Sequence, residues 1–223
     1  MEIGYGPAMN TQTHLLLASA LFARTGARKA NLAVLAGAFV PDGALFAMFL
    51  GSRIAGIPEG EFWGKIYFGP FVQSVQAVAN SAPLYAAIAL LGWILARQAV
   101  TPATAMSHEA SPLGANGLLP LATLFGLAAL THLAGDFPVH VNDAHRHFWP
   151  LSDWRFRSPV SYWDPAHYGQ WFSLFEMALG IALAVILWRR FSARWVRTLM
   201  GLAILLYIAV PAYFILMIGH HQP

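Results

Sequence analysis

The sequence predicts an all-α protein, a polytopic transmembrane bundle of about six membrane helices, and three observations predict it. Of its 223 residues, 57% are hydrophobic and only 10% are charged; a soluble domain is about a quarter charged. Several apolar stretches approach the roughly 20 residues that cross a bilayer. Backbone polar groups in lipid must be satisfied within their own segment, so each stretch is expected to be a helix.

Taken in order, the expected membrane segments are roughly 12–25, 29–50, 79–97, 118–136, 170–188 and 197–218. They form one domain over residues 1–223, with no internal repeat. The first dozen residues carry no basic region and no apolar run, so the first helix is expected to insert and stay. Thr101–Gly117 reads as a polar, Pro- and Gly-rich loop. Orientation follows from Lys and Arg in the connections. Arg24, Arg28, Lys29, Arg97, Arg189, Arg190, Arg194 and Arg197 crowd short connections on one side. Arg53, Lys65, Arg146, Arg155 and Arg157 are spread over the two long loops, 51–78 and 137–169. The first set is expected in the cytoplasm and the loops, with both termini, outside. Phe62, Trp63, Tyr67, Trp149, Trp154, Tyr162, Trp163, Tyr168 and Trp171 fall on those loops and read as an interfacial aromatic belt.

Composition also excludes. The chain has no Cys, so disulfides and thiolate ligands are ruled out. Net charge is +3, held by Arg at helix ends. There is no basic stripe interleaved with aromatics, so no nucleic-acid partner is expected; the bilayer itself is the expected partner.

The polar residues gather in one stretch, T-H-L-A-G-D-F-P-V-H-V-N-D-A-H-R-H-F-W-P, Thr131–Pro150. It holds His132, Asp136, His140, Asp143, His145 and His147, in a chain with 9 His and 10 acidic residues in all. His132 and Asp136, at i and i+4, share a helix face. Pro138 turns the chain at Phe137, which lets His140 fold back beside them. Imidazole with carboxylate suits zinc, with manganese or iron as alternatives. A hydrogen-bonded polar loop at a membrane surface would use the same residues.

Counting from the cytoplasmic ends adds weight to a metal. His14, Asp42, His132 and Glu176 lie on four helices at similar heights, roughly 15–21 Å up, with Asp136 one turn higher. An isolated charge at that depth costs a few kcal/mol, whereas four groups on one level can satisfy each other around a cation. Singly, each has a plain explanation. His14 after Thr13 could begin a helix. Asp42 after Pro41 could bond freed N–H groups. Glu176 could be a protonated helix residue. In the outer loop, Arg146, Arg155 and Arg157 suit phosphate oxygens, in a substrate or in lipid headgroups. His145, His147 and His167 could be ligands, a proton donor or partners of nearby acids. Asp143, Asp153 and Asp164 could pair with the arginines. His108, His220 and His221 read as solvated.

T-H-L-L-L-A-S-A-L at 13–21, F-V-P-D at 39–42 and H-L-A-G-D at 132–136 resemble the YdjM-like family of bacterial inner-membrane metal-dependent hydrolases. The likeness covers the first fifty residues and the stretch around 118–150. The H-x-x-x-D run leading to Pro138-Val139-His140 is also similar to the metal helix of zinc-dependent phospholipase C and S1-type nucleases. The resemblance implies a helical fold, a divalent metal and phosphoester hydrolysis. It implies metal ligands His14, Asp42, His132 and Asp136, with His140 as a further ligand. The chain departs from the YdjM-like pattern at Asn80-Ser81, where that family has a His-Ser.

The function expected is therefore a membrane-bound hydrolase that cleaves a phosphoester or phospholipid-like substrate with metal-activated water at the outer face. His140 would be ligand or general base, Arg146 would steady the anion, and Glu176 would be ligand, base or partner of a metal histidine. The alternative is a non-enzymatic membrane protein, a cation or proton transporter or a scaffold, using the same polar layer. The inner halves of the helices, such as A-L-L-G-W-I-L-A, are apolar, which argues against a through path.

Overall fold

The structure, a computed structural model, describes residues 11–98, 119–162 and 164–219, with side chains to 212. The loop at 101–117, His108, Trp163, His220 and His221 lie outside the described residues. Among the described residues the regular structure is helix, with no strand. The main helices are α1 (Thr11–Phe22), α2 (Arg28–Ile54), α3 (Pro70–Ala79), α4 (Ala82–Gln98), α5 (Leu121–Asp136), α6 (Gly169–Arg190) and α7 (Arg194–Gly219).

Each expected segment contains a helix; among the described residues four are long and apolar enough to cross a membrane, 28–54, 70–98, 169–190 and 194–212. The other two, α1 with 12 residues and α5 with 16, rise only about 18 and 24 Å. Asp136 is the last residue of α5, so that helix ends at its own polar side chain; α1 is described from Thr11 onward.

The stretch 51–78, expected as a loop, is largely helical. It holds a short turn at Glu59–Glu61, a π-helical turn at Phe62–Ile66, and α3. The span expected at 79–97 therefore begins at Pro70, where proline suits the first helical turn, and is interrupted at Asn80-Ser81. The aromatic belt is also reduced. Phe62 and Tyr67 are buried, Phe62 against Phe49 and Trp63. Trp154, Tyr168 and Trp171 are exposed. Residues 137–162 form an irregular segment with no helix.

Helix α5 lies at the centre, packed on α2, α4 and α1. Small residues bring it there. A Cβ on Gly37 of α2 would collide with the Phe125 carbonyl, and one on Gly126 of α5 would come within 2.6 Å of the Tyr85 carbonyl of α4. Ala18, Ala38, Ala128 and Ala129 are fully buried along these seams. In a membrane bundle such small residues let backbones approach closely, because lipid supplies no hydrophobic drive between helices. Helices α6 and α7 pack on each other, and α6 packs on α1. Thus α1 stands between the α2–α5 core and the α6–α7 hairpin. The α1–α2 turn is closed by Gly26 at φ +77°, a left-handed conformation glycine adopts freely. Asn31 fastens it, its side chain exchanging two hydrogen bonds with the Arg24 backbone at 2.8 and 2.9 Å.

Gly37→Ala should force α2 and α5 apart. The expected loss is about 1–3 kcal/mol of stability, read as earlier thermal unfolding in detergent, whereas Gly51→Ala, at a position with open space around it, should be tolerated.

Candidate metal centre

Three elements converge at the C-terminal end of α5. His14 comes from the first turns of α1, Asp42 from the middle of α2 just after Pro41, and His132 and Asp136 from the last turns of α5. His14 and His132 are each 1% exposed and Asp136 5%. The two imidazoles are stacked, centroids 3.7 Å apart and planes within 17°. They flank one carboxylate. His14 Nε2 is 2.9 Å from Asp136 Oδ1, and His132 Nε2 is 3.0 Å from Asp136 Oδ2. Asp42 Oδ1 lies 3.5 Å from His132 Nε2. Its other oxygen accepts from Thr11 Oγ1 at 2.6 Å.

These nitrogens are close to oxygens, yet His14 Nε2 and His132 Nε2 have no hydrogen-bond partner. Distance permits a bond and angle does not. His132 shows why. Its Nδ1 sits 2.7 Å from the Ala38 carbonyl oxygen. A carbonyl can only accept, so Nδ1 carries the hydrogen and neutral His132 presents a bare lone pair at Nε2. A lone pair facing carboxylates is tolerable only with positive charge between them. Protons could supply it, but protonating both stacked rings would set two cations face to face.

The donor set fits a metal ion. His14, Asp42 and His132 offer ligand atoms within 4.8 Å of one another, a group that could hold one. Bonds of about 2.0–2.1 Å at tetrahedral angles put neighbouring ligand atoms roughly 3.3 Å apart. The contacts of 2.9, 3.0 and 3.5 Å bracket that spacing. The Ala38 carbonyl on His132 Nδ1 is the kind of outer partner that fixes a ligating imidazole.

A second cluster adjoins the first, carried by residues 137–162. His140 Nε2 is 3.7 Å from Asp136 Oδ1, too long for a hydrogen bond. Its Nδ1 donates to Asp143 Oδ2 at 2.9 Å, and Tyr162 donates to the same oxygen at 2.9 Å. His145 lies against His140 with ring centroids 4.7 Å apart, and His147 against His145 at 5.7 Å. Burial opposes the charged form of His140, but Asp136 and Asp143 outweigh it and lift its pKa to about 10. His145 goes the other way, to about 3, through burial and its neighbours His140 and His147. Asp143 falls to about 2, the partners His140 and Tyr162 overriding burial. The segment is tied to the Asn80-Ser81 break. Ser81 Oγ donates to the Trp149 carbonyl at 2.5 Å, Ala82 N to His147 O at 2.8 Å, and His147 Nδ1 lies 3.2 Å from Asn80 O. Asn80 and Ser81 thus hold the histidine loop through backbone and hydroxyl contacts.

Other expected groups are placed differently. Glu176 Oε1 accepts from Thr13 Oγ1 at 2.6 Å, on the side of α1 toward α6. Arg146 has two nitrogens committed, to Asp153 at 2.9 Å and to the Gln73 carbonyl at 2.8 Å. It therefore links the loop to α3. Arg155 donates to the Ala144 carbonyl, and His167 pairs with Asp164. So Asp153 takes an arginine, while Asp143 and Asp164 take histidines. Thr11, Thr13, Tyr162 and Tyr207 were not legible as contributors. The one signal was a hydroxyl in an otherwise apolar helix, as at Tyr207.

No protein-family model, curated protein or solved structure matches the chain.

Asp136→Ala should leave two imidazoles without the carboxylate they face and abolish metal retention, read by elemental analysis of the purified protein. Asp143→Ala removes the shared partner of His140 Nδ1 and the Tyr162 hydroxyl and touches none of His14, Asp42, His132 and Asp136. It should weaken retention by about 10-fold or less, the lower end for an outer-shell partner.

Proposed function

We propose that the chain is a membrane-bound, metal-dependent hydrolase of phosphoesters, with zinc the preferred ion and manganese or iron as alternatives. One observation carries the reading: imidazole nitrogens from α1 and α5 face a single buried carboxylate without hydrogen-bond geometry. His14, Asp42, His132 and Asp136 would hold the ion. A divalent metal supplies a lowered pKa for bound water and polarisation of a phosphoryl oxygen. His140, oriented by Asp143, would take or return the proton at Nε2, the nitrogen facing the centre. His145, kept neutral by burial, would leave that proton with His140. Arg146 would hold the loop over the centre through Asp153 and Gln73. The likeness of 13–21, 39–42 and 132–136 to the YdjM-like hydrolases supports the same chemistry.

The site would face outward from a bacterial inner membrane, on the strength of the basic residues in the opposite connections. A phosphoester or phospholipid-like substrate at that interface suits the position. Transport through the same layer is disfavoured by what fills the bundle away from the site. Ala18, Ala30, Val34, Leu124 and Ala128 form a buried apolar cluster there, offering a cation no ligands.

Purified protein should contain bound divalent metal, and a chelator should lower its turnover of a chromogenic phosphodiester or a lipid phosphate by about 100-fold or more, with zinc restoring it. Protein that holds no metal, or turnover that ignores the chelator, would overturn the hydrolase reading.

A further inference from the structure

The imidazoles facing Asp136 are not held alike. His132 has its Nδ1 on the Ala38 carbonyl and His140 on Asp143. His14 has neither ring nitrogen in a hydrogen bond, although it is buried. A ligating imidazole ordinarily has its second nitrogen fixed, because the ring must be aimed before the ion arrives. His14 must be aimed by something other than its own ring.

The residue before it supplies a means. Thr13 is fully buried, and its hydroxyl lies 2.6 Å from Glu176 Oε1 and 2.6 Å from the Tyr207 hydroxyl. A threonine hydroxyl has one hydrogen. Thr13 donates it to Glu176, so Tyr207 donates to Thr13, and the order of the chain is fixed. The Tyr207 ring can come this close because residue 180 is glycine: a Cβ there would collide with the ring. Thr13 belongs to α1, Glu176 and Gly180 to α6, and Tyr207 to α7. Successive helical residues point about 100° apart. Thr13 can therefore bind the α6–α7 hairpin while His14 faces α5.

We propose that the Thr13 hydroxyl, clamped between Glu176 and Tyr207, is the positioning element for His14. It does for His14 what the Ala38 carbonyl does for His132 and Asp143 for His140. The α6–α7 hairpin contributes no ligand among the described group; its part in the centre is to fix the rotation of α1. A functional site needs its groups within about 10–20° of the working geometry, and one clamp on the adjacent residue sets that angle. This inference rests on the metal-centre reading above.

The test uses the full chain loaded with cobalt(II), whose visible absorption reports ligand geometry. Thr13→Val removes the hydroxyl and Thr13→Ser keeps it. Cobalt affinity in Thr13→Val should fall about 10–100-fold and its absorption bands should shift, with both returning toward wild type in Thr13→Ser. Tyr207→Phe, which removes one hydrogen bond at the edge of the clamp, should move both readouts the same way and serves if Thr13→Val does not fold. Thr123→Val removes another buried helix-to-helix hydroxyl bond, to the Ala89 carbonyl. It should lower stability while leaving the cobalt spectrum alone. Wild-type affinity and spectrum in both Thr13→Val and Tyr207→Phe, or failure of Thr13→Ser to restore them, would overturn the clamp alone. Wild-type protein that takes up no cobalt would overturn the metal centre, and the clamp with it.

Discussion

One buried carboxylate governs the arrangement around it. Asp136 ends α5 at 5% exposure, and an ion in such surroundings must be compensated or neutralised. The groups that meet it are imidazoles from α1 and α5 together with His140 of the following segment. Neutral imidazole does not compensate a negative charge, so the cluster requires positive charge of its own. Protonated His140 divides its charge between Asp136 and Asp143, protonating one stacked ring supplies one more, and protonating both sets like charges 3.7 Å apart. A dication among the nitrogens and oxygens would meet the need of Asp136 and Asp42 together and turn the unbonded lone pairs from a cost into ligands.

The bundle is shaped to keep this cluster dry. Helix α5 stops at Asp136, while α2 continues well past Asp42 to Ile54. The space above is filled by residues 137–162, whose backbone is tied to the break between α3 and α4. Gly37 and Gly126 let α2 and α4 close on α5 at backbone distance. Large side chains at those seams would hold Asp42 away from His132. The seams and the centre therefore depend on each other: close packing makes the cluster compact, and the cluster gives otherwise featureless apolar helices one rotational setting.

Much of this was legible in the sequence, for a physical reason. Helix rise is constant, so counting from the basic ends placed His14, Asp42 and His132 on one level without any knowledge of packing. The i, i+4 spacing of His132 and Asp136 and the turn at Pro138 are likewise local. What depends on tertiary contact was hidden. Hydropathy alone made α5 look like a full span, because it does not sense where a helix is stopped to admit a loop. The helical nature of 59–79 was masked by its polar and aromatic residues. Whether Arg146 faces an anion or Asp153, and whether Glu176 faces the imidazoles or Thr13, depends on side-chain directions that spacing does not specify.

The second histidine cluster follows from the first. His140 stands between two acids, and their charge holds its proton up to about 10. A dication at Asp136 would take over the compensation of that carboxylate, leaving Asp143 alone to support protonated His140. Under the proposed reading, bound metal would push His140 toward the neutral form, in which Nε2 can accept a proton. Asp143 remains on Nδ1, so the ring keeps its tautomer and direction while its charge changes. His145, held down to about 3 by burial and by His140, offers no competing base behind it. An ion and a proton acceptor in one pocket are usually thought to compete for the same carboxylates. Here an ion held at Asp136 would leave His140 on Asp143, so the two would not compete for one carboxylate.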